Sequence, residues 1–156
     1  MRRRSGRDPR RRDRGELAGV LSEQNSSAYS PLTTYGRQSE VAAESALYTT
    51  PGISGCLSRA FIAQESEGLP AGESVVATNF DVQPGPDAGG LGVVATARGE
   101  FTVTLAADEK TPEYLQAAFI AGPLLQAEVV LMGADPDISE ATFTTLTDDV
   151  ANRAEH

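Results

Sequence analysis

At 156 residues the chain is long enough for one two-layer hydrophobic core and too short for two. Apolar residues make up 40% of it and aromatic ones 6%, with no Trp, so the core is expected to be built from Val, Leu, Ile and Ala. The net charge of −9 conceals an asymmetry: the first fourteen residues hold eight of the thirteen basic side chains, and residues 15–156 carry 5 basic against 20 acidic ones, a net of −15. Such a body repels phosphate backbones and makes a poor nucleic-acid platform.

Residues 1–26 read as a disordered Arg-rich N-terminal arm, ahead of a single α+β domain over residues 27–156. The arm opens MRRRSGRDPRRRDR and turns Ser-, Asn- and Gln-rich. Two readings stand: a grip on RNA, anionic lipid or another acidic surface, or a solvated tail, the commoner fate of this composition. Asn25-Ser26-Ser27 fits the glycosylation pattern, which arises by chance too often to carry weight.

Tyr29–Tyr35 (YSPLTTY) reads as a short strand that Pro31 confines to a sheet edge. Ser39 is placed to cap a helix over Glu40–Tyr48, with Val41, Leu47 and Tyr48 as buried candidates. Thr49-Thr50-Pro51-Gly52 breaks it. A second helix, Ile53–Glu65, carries Ile53, Cys56, Leu57, Ala60 and Phe61 at helical spacing, with Arg59 on the opposite face. From Ser74 to Val82 the period becomes that of a strand, expected to put Val76, Thr78, Phe80 and Val82 on one side. The cluster Pro84-Gly85-Pro86-Asp87-Ala88-Gly89-Gly90 closes a hairpin with a loose tip. Leu91–Ala97 returns, Gly99 marks a bend or bulge, and Phe101, Val103 and Leu105 continue on one face.

Tyr114–Gly133 suits helices by propensity. Each apolar run is nevertheless under about ten residues, and Gly122-Pro123 stands where a hairpin turn would, so the segment reads as two strands. Leu125, Ala127, Val129 and Leu131 then share a face. Asp135-Pro136-Asp137-Ile138-Ser139 introduces a last helix, with Asp137 and Glu140 as a capping pair and Phe143, Leu146 and Val150 as its seam. The fold class is therefore α+β: an antiparallel β-meander sheet covered on one face by two helices before it and one C-terminal helix.

Catalytic constellations are hard to assemble from these residues. The only histidine, His156, is terminal, so neither a Ser-His-Asp arrangement nor a His-based metal site can be preorganised. Cys56 is the only cysteine and cannot form an intramolecular disulfide. Arg59, a turn away, could lower its thiol pKa slightly, but a core cysteine on the apolar stripe is the plainer reading. Ile53-Ser54-Gly55-Cys56 imitates a lipobox, yet two carboxylates and a proline interrupt what precedes it, where roughly 7–15 apolar residues are needed. Arg10-Arg11-Arg12 followed by GELAGVLSEQ likewise has too short an apolar part for a working export signal.

No stretch approaches the roughly 18 apolar residues of a membrane span. Asp135, Asp137 and Glu140 echo a calcium loop without its glycine or distal glutamate, and helix capping accounts for them. Asp148-Asp149 is a solvated helix face, and no carboxylate pair is singled out for glycoside chemistry. The run GPDAGGLG has no lysine and no following helix, so it is a turn and not a phosphate loop. No catalytic, cofactor-binding or metal-binding residue is nominated, no cofactor is expected, and the binding residues stay unassigned. An apolar pocket between the Phe101/Val103 face and helix 53–65 is a matter of packing that sequence leaves open.

The order of elements carries a resemblance. A strand (YSPLTTY), an alanine-rich helix, a helix of the form PGISGCLSRAF, long antiparallel strands, the strand-turn-strand AAFIAGPLLQAEVVLMG and a final helix ending Val150-Ala151-Asn152-Arg153 together resemble the extracytoplasmic domains of actinobacterial envelope proteins. These include PknH-type kinase sensor domains and related lipoproteins, and the similarity spans about residues 28–154. It implies an extracytoplasmic module that binds a small ligand or protein partner and catalyses nothing. Two alternatives remain: an assembly component of a larger particle using its basic arm, and a small enzyme working through carboxylates.

Overall fold

The computed structural model describes residues 27–134 and 140–154. In chain order the elements are β1 (Ser27–Tyr29), β2 (Leu32–Thr34), α1 (Gln38–Leu47), α2 (Ile53–Ser66), β3 (Ser74–Pro84), β4 (Gly92–Thr104), β5 (Lys110–Ala121), β6 (Leu125–Gly133) and α3 (Glu140–Ala154). The class is α+β, with two helices before the meander and one after it. The Arg-rich segment 1–26, the helix prelude Asp135–Ser139 and His156 lie outside the described residues, and so do the readings that fell on them.

All strand pairs are antiparallel, in the order β1-β6-β5-β4-β3, with β2 also on β6. The meander β3 to β6 is built by short connections, and the first strand returns to its far edge. Pro31 divides that edge strand into β1 and β2. It has no N–H to contribute, but its carbonyl accepts the Glu128 N–H at 3.0 Å, so the ladder runs on across the break.

Helices cover both faces of the sheet, not one. Residues of β5 alternate in direction, and both sets are apolar. Leu115, Ala117, Phe119 and Ala121 join Val130 and Met132 under α1 and α2, which contribute Val41, Tyr48 and Phe61. Ala118 and Ile120 turn the other way, joining Ala127, Val129 and Ala154, and there Phe143, Leu146 and Val150 of α3 pack on them. A strand buried on both sides needs a layer on each. Each fully buried Leu, Ile, Val or Phe side chain contributes about 1.5–3 kcal/mol, so the central strands supply much of the driving force.

Four local expectations change. In β3 the register shifts between Ala77 and Asn79, inserting Thr78 as a bulge. The inward phase is thus Val75 and Ala77 before it and Phe80 and Val82 after it, while Val76 is 57% exposed. Gly99 pairs regularly with Phe80 and Leu115, and the irregularity in β4 falls instead between Val93 and Ala95. Leu105 lies beyond β4, in a turn closed by its N–H to the Glu109 carbonyl at 2.8 Å. The β3–β4 tip is pinned rather than loose: Asp87 Oδ2 accepts the Val93 N–H at 2.9 Å, over Gly92 at a positive φ of 106°.

The helices differ in their faces. The N-cap of α1 is Arg37, not Ser39, and the Glu40 carboxylate accepts from the Gly36 and Arg37 N–H groups at 3.1 and 3.2 Å. Leu47 is half exposed. Cys56 and Ala60 of α2 are exposed, so Cys56 is no core cysteine. The inward stripe is Ile53, Ser54, Leu57, Ser58, Phe61, Ile62 and Glu65. That rotation is set by Phe61, whose ring lies 5.7 Å from that of Phe80, and by Ser54 Oγ, which accepts the Val82 N–H at 3.1 Å.

Phe80 in turn meets Phe101 edge-on at 6.0 Å, so rings fill the space between α2 and the sheet. Gly99 makes room for them: a β-carbon there would lie 2.7 Å from Phe80 Cδ2 and 2.8 Å from Phe101 Cε2. Gly99→Ala should therefore lower stability by about 1–3 kcal/mol despite alanine's better strand propensity. The urea midpoint checks this, and an unchanged midpoint would contradict the packing.

Candidate functional site

One face of α1 turns Val41, Ser45 and Tyr48 toward the sheet, at the i, i+4, i+7 spacing of a buried stripe. Two of these three carry hydroxyls. The Tyr48 ring stacks on Phe119 of β5, with centroids 4.3 Å apart and planes inclined by 28°. Across from it, β6 sends Gln126 and Glu128 to the same side, because positions two apart on a strand share a face. Tyr35, just past β2, completes the group. Its N–H donates to the Leu124 carbonyl at 2.8 Å, and its Oη donates to Gln126 Oε1 at 3.3 Å.

The side chains of Ser45 and Gln126 are 4% and 5% exposed. Ser45 Oγ and Gln126 Nε2 are buried without a hydrogen-bond partner among the described residues. Tyr35 holds the carboxamide by its oxygen, and the amide's other end lies against the Tyr48 hydroxyl, whose ionised form its N–H favours, so the nitrogen faces a polar neighbour without reaching good hydrogen-bond geometry. An unsatisfied buried donor costs about 1–3 kcal/mol. The Tyr48 phenol is held far above its ordinary range, first by burial, then by the Glu128 and Glu44 carboxylates and by Tyr35, with Gln126 alone opposing. It therefore stays protonated and serves as a neutral hydrogen-bonding group.

Glu44 lies on the exposed side of α1, one turn before Tyr48, and Glu128 is half-buried. The cluster thus has a deep end (Ser45, Tyr48, Gln126) and an outer end (Tyr35, Glu44, Glu128). It holds carboxylates, phenols and an amide, and no cationic side chain is among the groups acting on Tyr48.

A second feature lies at the far end of α2. Glu65 is half-buried on that helix, and Glu113 is half-buried near the start of β5, opposite Phe101 of β4. Burial raises both carboxyls above the ordinary range, and the charge of Glu65 raises Glu113 further. Beside them, Gln64 Nε2 donates to the Tyr29 Oη at 3.3 Å. On the opposite face, Arg98 and Glu140 form an ion pair at 3.0 Å, exposed on both sides and therefore worth little.

Of the residues weighed from sequence, Cys56 is exposed on α2, away from the core, and the glycine run near Asp87 is the β3–β4 turn. Among the described residues no group of three or more His, Cys, Asp or Glu side chains is placed to hold a metal, and no helix is long and apolar enough to cross a membrane. The cluster around Tyr48 was not singled out from sequence. Its one sequence signal is Gln126 and Glu128, two polar residues at alternate positions in the apolar run LLQAEVVLM.

No protein-family model matches the chain, and no curated protein matches it. Among solved structures it is similar to the solution structure of cyanobacterial PsbP (CyanoP) from Synechocystis sp. PCC 6803. The two share 13% identity over 85% of this chain and 68% of that one, with a TM-score of 0.40. Likeness of this degree assigns neither a family nor an activity to the chain.

The Glu65–Glu113 pair sets a pH dependence. Both folded-state pKa values lie above the unfolded ones, so the native state binds more protons in the window just above the ordinary glutamate value of 4.5. Stability contributed by this pair is therefore present below that window and lost as pH rises through it. Glu113→Gln should flatten that slope and raise stability at neutral pH by about 0.5 kcal/mol. Denaturation midpoints measured between pH 4 and pH 7 check the sign; an unaltered slope would remove the pair as its source.

Proposed function

We propose that the domain is a non-enzymatic ligand- or partner-binding module of the bacterial cell envelope. The observation that carries the binding half is the cluster under α1. Beneath α1, Ser45 Oγ and Gln126 Nε2 are buried without a well-formed hydrogen bond among the described residues, in a layer that also holds the Tyr35 and Tyr48 phenols. Such groups are costly to a fold unless a water or a guest satisfies them. No thiol, imidazole or amine is among the groups acting on Tyr48, so any bond-making chemistry there would fall to the Glu44 and Glu128 carboxylates. The envelope half rests on the resemblance of residues 28–154 to actinobacterial extracytoplasmic domains.

Both halves are open to measurement. In a screen of small polar metabolites, at least one compound should raise the melting temperature of the full chain while mass spectrometry finds it unconsumed. Conversion of the stabilising compound to a product would overturn the non-enzymatic reading. A C-terminally tagged copy expressed from its own locus should fractionate with the envelope and be cut by protease added to protoplasts. Confinement to the cytosol would overturn the location. Light scattering should give a monomer; a large fixed oligomer would favour a structural component of a particle.

A further inference from the structure

The sheet face that carries α3 is covered along only part of its length. α3 runs from Glu140, ion-paired with Arg98 at 3.0 Å, to Ala154, whose carbonyl a β-carbon on Gly122 would meet. It therefore lies over the end of the sheet that holds Ala118 and Ile120. Toward the other end, strand pairing sets two further rows on the same face: Asn79, Glu100 and Tyr114, then Val76, Thr102 and Pro112. Their neighbours Val75, Phe101 and Val103 turn the opposite way, into the core under α2. An antiparallel sheet that leaves a face to water presents polar side chains there. Val76, 57% exposed, and the exposed Pro112 depart from that pattern, with the half-buried Tyr114 between them and α3.

Within reach of these rows is the chain's own beginning. Ser27 pairs with Met132, and Met132 with Leu115, the neighbour of Tyr114, so the chain joins the sheet at this end. Gln64 Nε2, in the last turn of α2, donates to the Tyr29 Oη at 3.3 Å and fixes the point of entry. Ahead of Ser27 the sequence places five polar residues (SEQNS), then Leu17, Ala18, Val20 and Leu21, then the arginine-rich run 1–14. β1 and β3 are separated by four strand spacings, about 19 Å, and six extended residues span about 20 Å, so Leu21 can reach Val76. Charge favours the same meeting. Glu73 precedes β3, and Asp108 and Glu109 lie in the β4–β5 turn at this end. The net of −15 over residues 15–156 attracts arginine and repels a second copy of the same body.

We propose that residues 15–22 dock on this half of the sheet within the same molecule, Leu17, Val20 and Leu21 covering Val76, Pro112 and Tyr114, with the preceding arginines along Glu73, Asp108 and Glu109. The acidic surface that the arm grips is then its own domain. A segment joined through so short a connection meets the face at an effective concentration on the order of millimolar, so a modest contact is enough to hold it.

A nitroxide tests this on the full chain. Ala18→Cys in a Cys56→Ser background carries the label, and amide intensities of the uniformly labelled protein are compared with the nitroxide oxidised and reduced. The Val76 and Thr102 amides should lose at least about half their intensity, while Glu65 and Glu67, at the same end but on α2 across the sheet, lose little. Leu17→Ser with Val20→Ser should cut the loss at Val76 at least about threefold. Val76→Asp, at an exposed position, should do so as well, read at Thr102. An equal mixture of spin-labelled and isotope-labelled chains should show no broadening. Broadening alike on both faces, or none at Val76, would overturn the docking, and so would broadening indifferent to Leu17 and Val20. Broadening of the same size in the mixture would give the face to a second copy and overturn the intramolecular assignment.

Discussion

Seven consecutive residues of β5, Leu115 to Ala121, are buried, and a strand can bury consecutive residues only when both of its faces are covered. From this one constraint the layering follows. β4 and β6 satisfy the backbone of β5 on either side, so the main chain of the buried stretch needs no water. The side chains alternate large and small: Leu115, Phe119 and Ile120 fill space, while Ala117, Ala118 and Ala121 let the covering layers approach. α1 is fixed over the strand by Tyr48 stacked on Phe119, and α3 by Ala154, Val150 and Phe143 over Ala118 and Ile120. The location of the Tyr48 hydroxyl, and hence of the polar cluster, is a consequence of how β5 is buried.

Against that background β6 is uneven. Toward α3 it presents Leu125, Ala127 and Val129, an apolar row. Toward α1 the first two positions are Gln126 and Glu128, and only then Val130 and Met132. Apolar residues at 126 and 128 would complete the core under α1 and avoid the desolvation cost of an unsatisfied amide. Sequences that keep a locally unfavourable choice inside an otherwise consistent core tend to do so at functional positions. The inward hydroxyl of Ser45, facing the same layer where alanine would pack, points the same way.

Much of the architecture was legible in the amino-acid order, and what was not had local physical causes. The strand pair 110–133 could be told from a helix by Gly122-Pro123, which breaks the run where a hairpin must turn. Parity could not be read so well. A single inserted residue, Thr78, reverses which side chains of β3 face inward, and nothing in SVVATNFDV announces it. Gly99 looked like a bend because glycine often is one. Its actual role, making room for Phe80 and Phe101, depends on rings 19 and 2 residues away. The face of α2 was misjudged by about one residue, since a helical period fixes the spacing of a stripe but not its centre; Ser54 and Phe61 set that through β3. The α1–β6 cluster escaped because it is assembled from Tyr35, Ser45, Tyr48, Gln126 and Glu128, which only the return of the first strand to β6 brings together.

Both edges of the sheet are guarded against strand addition. An exposed edge invites another strand, and proteins blunt such edges with short strands, prolines, bulges and charges. Here β1 and β2 are three residues each, with Pro31 between them. The β3 edge is bulged at Thr78 and carries Asp81, and its Val82 N–H is occupied by Ser54 Oγ. Strand addition is disfavoured at both edges, so a guest held mainly by main-chain hydrogen bonds has no ready template. Buried side-chain atoms short of a hydrogen bond among the described residues occur on both faces, Ser45 Oγ and Gln126 Nε2 beneath α1 and Thr147 Oγ1 on α3.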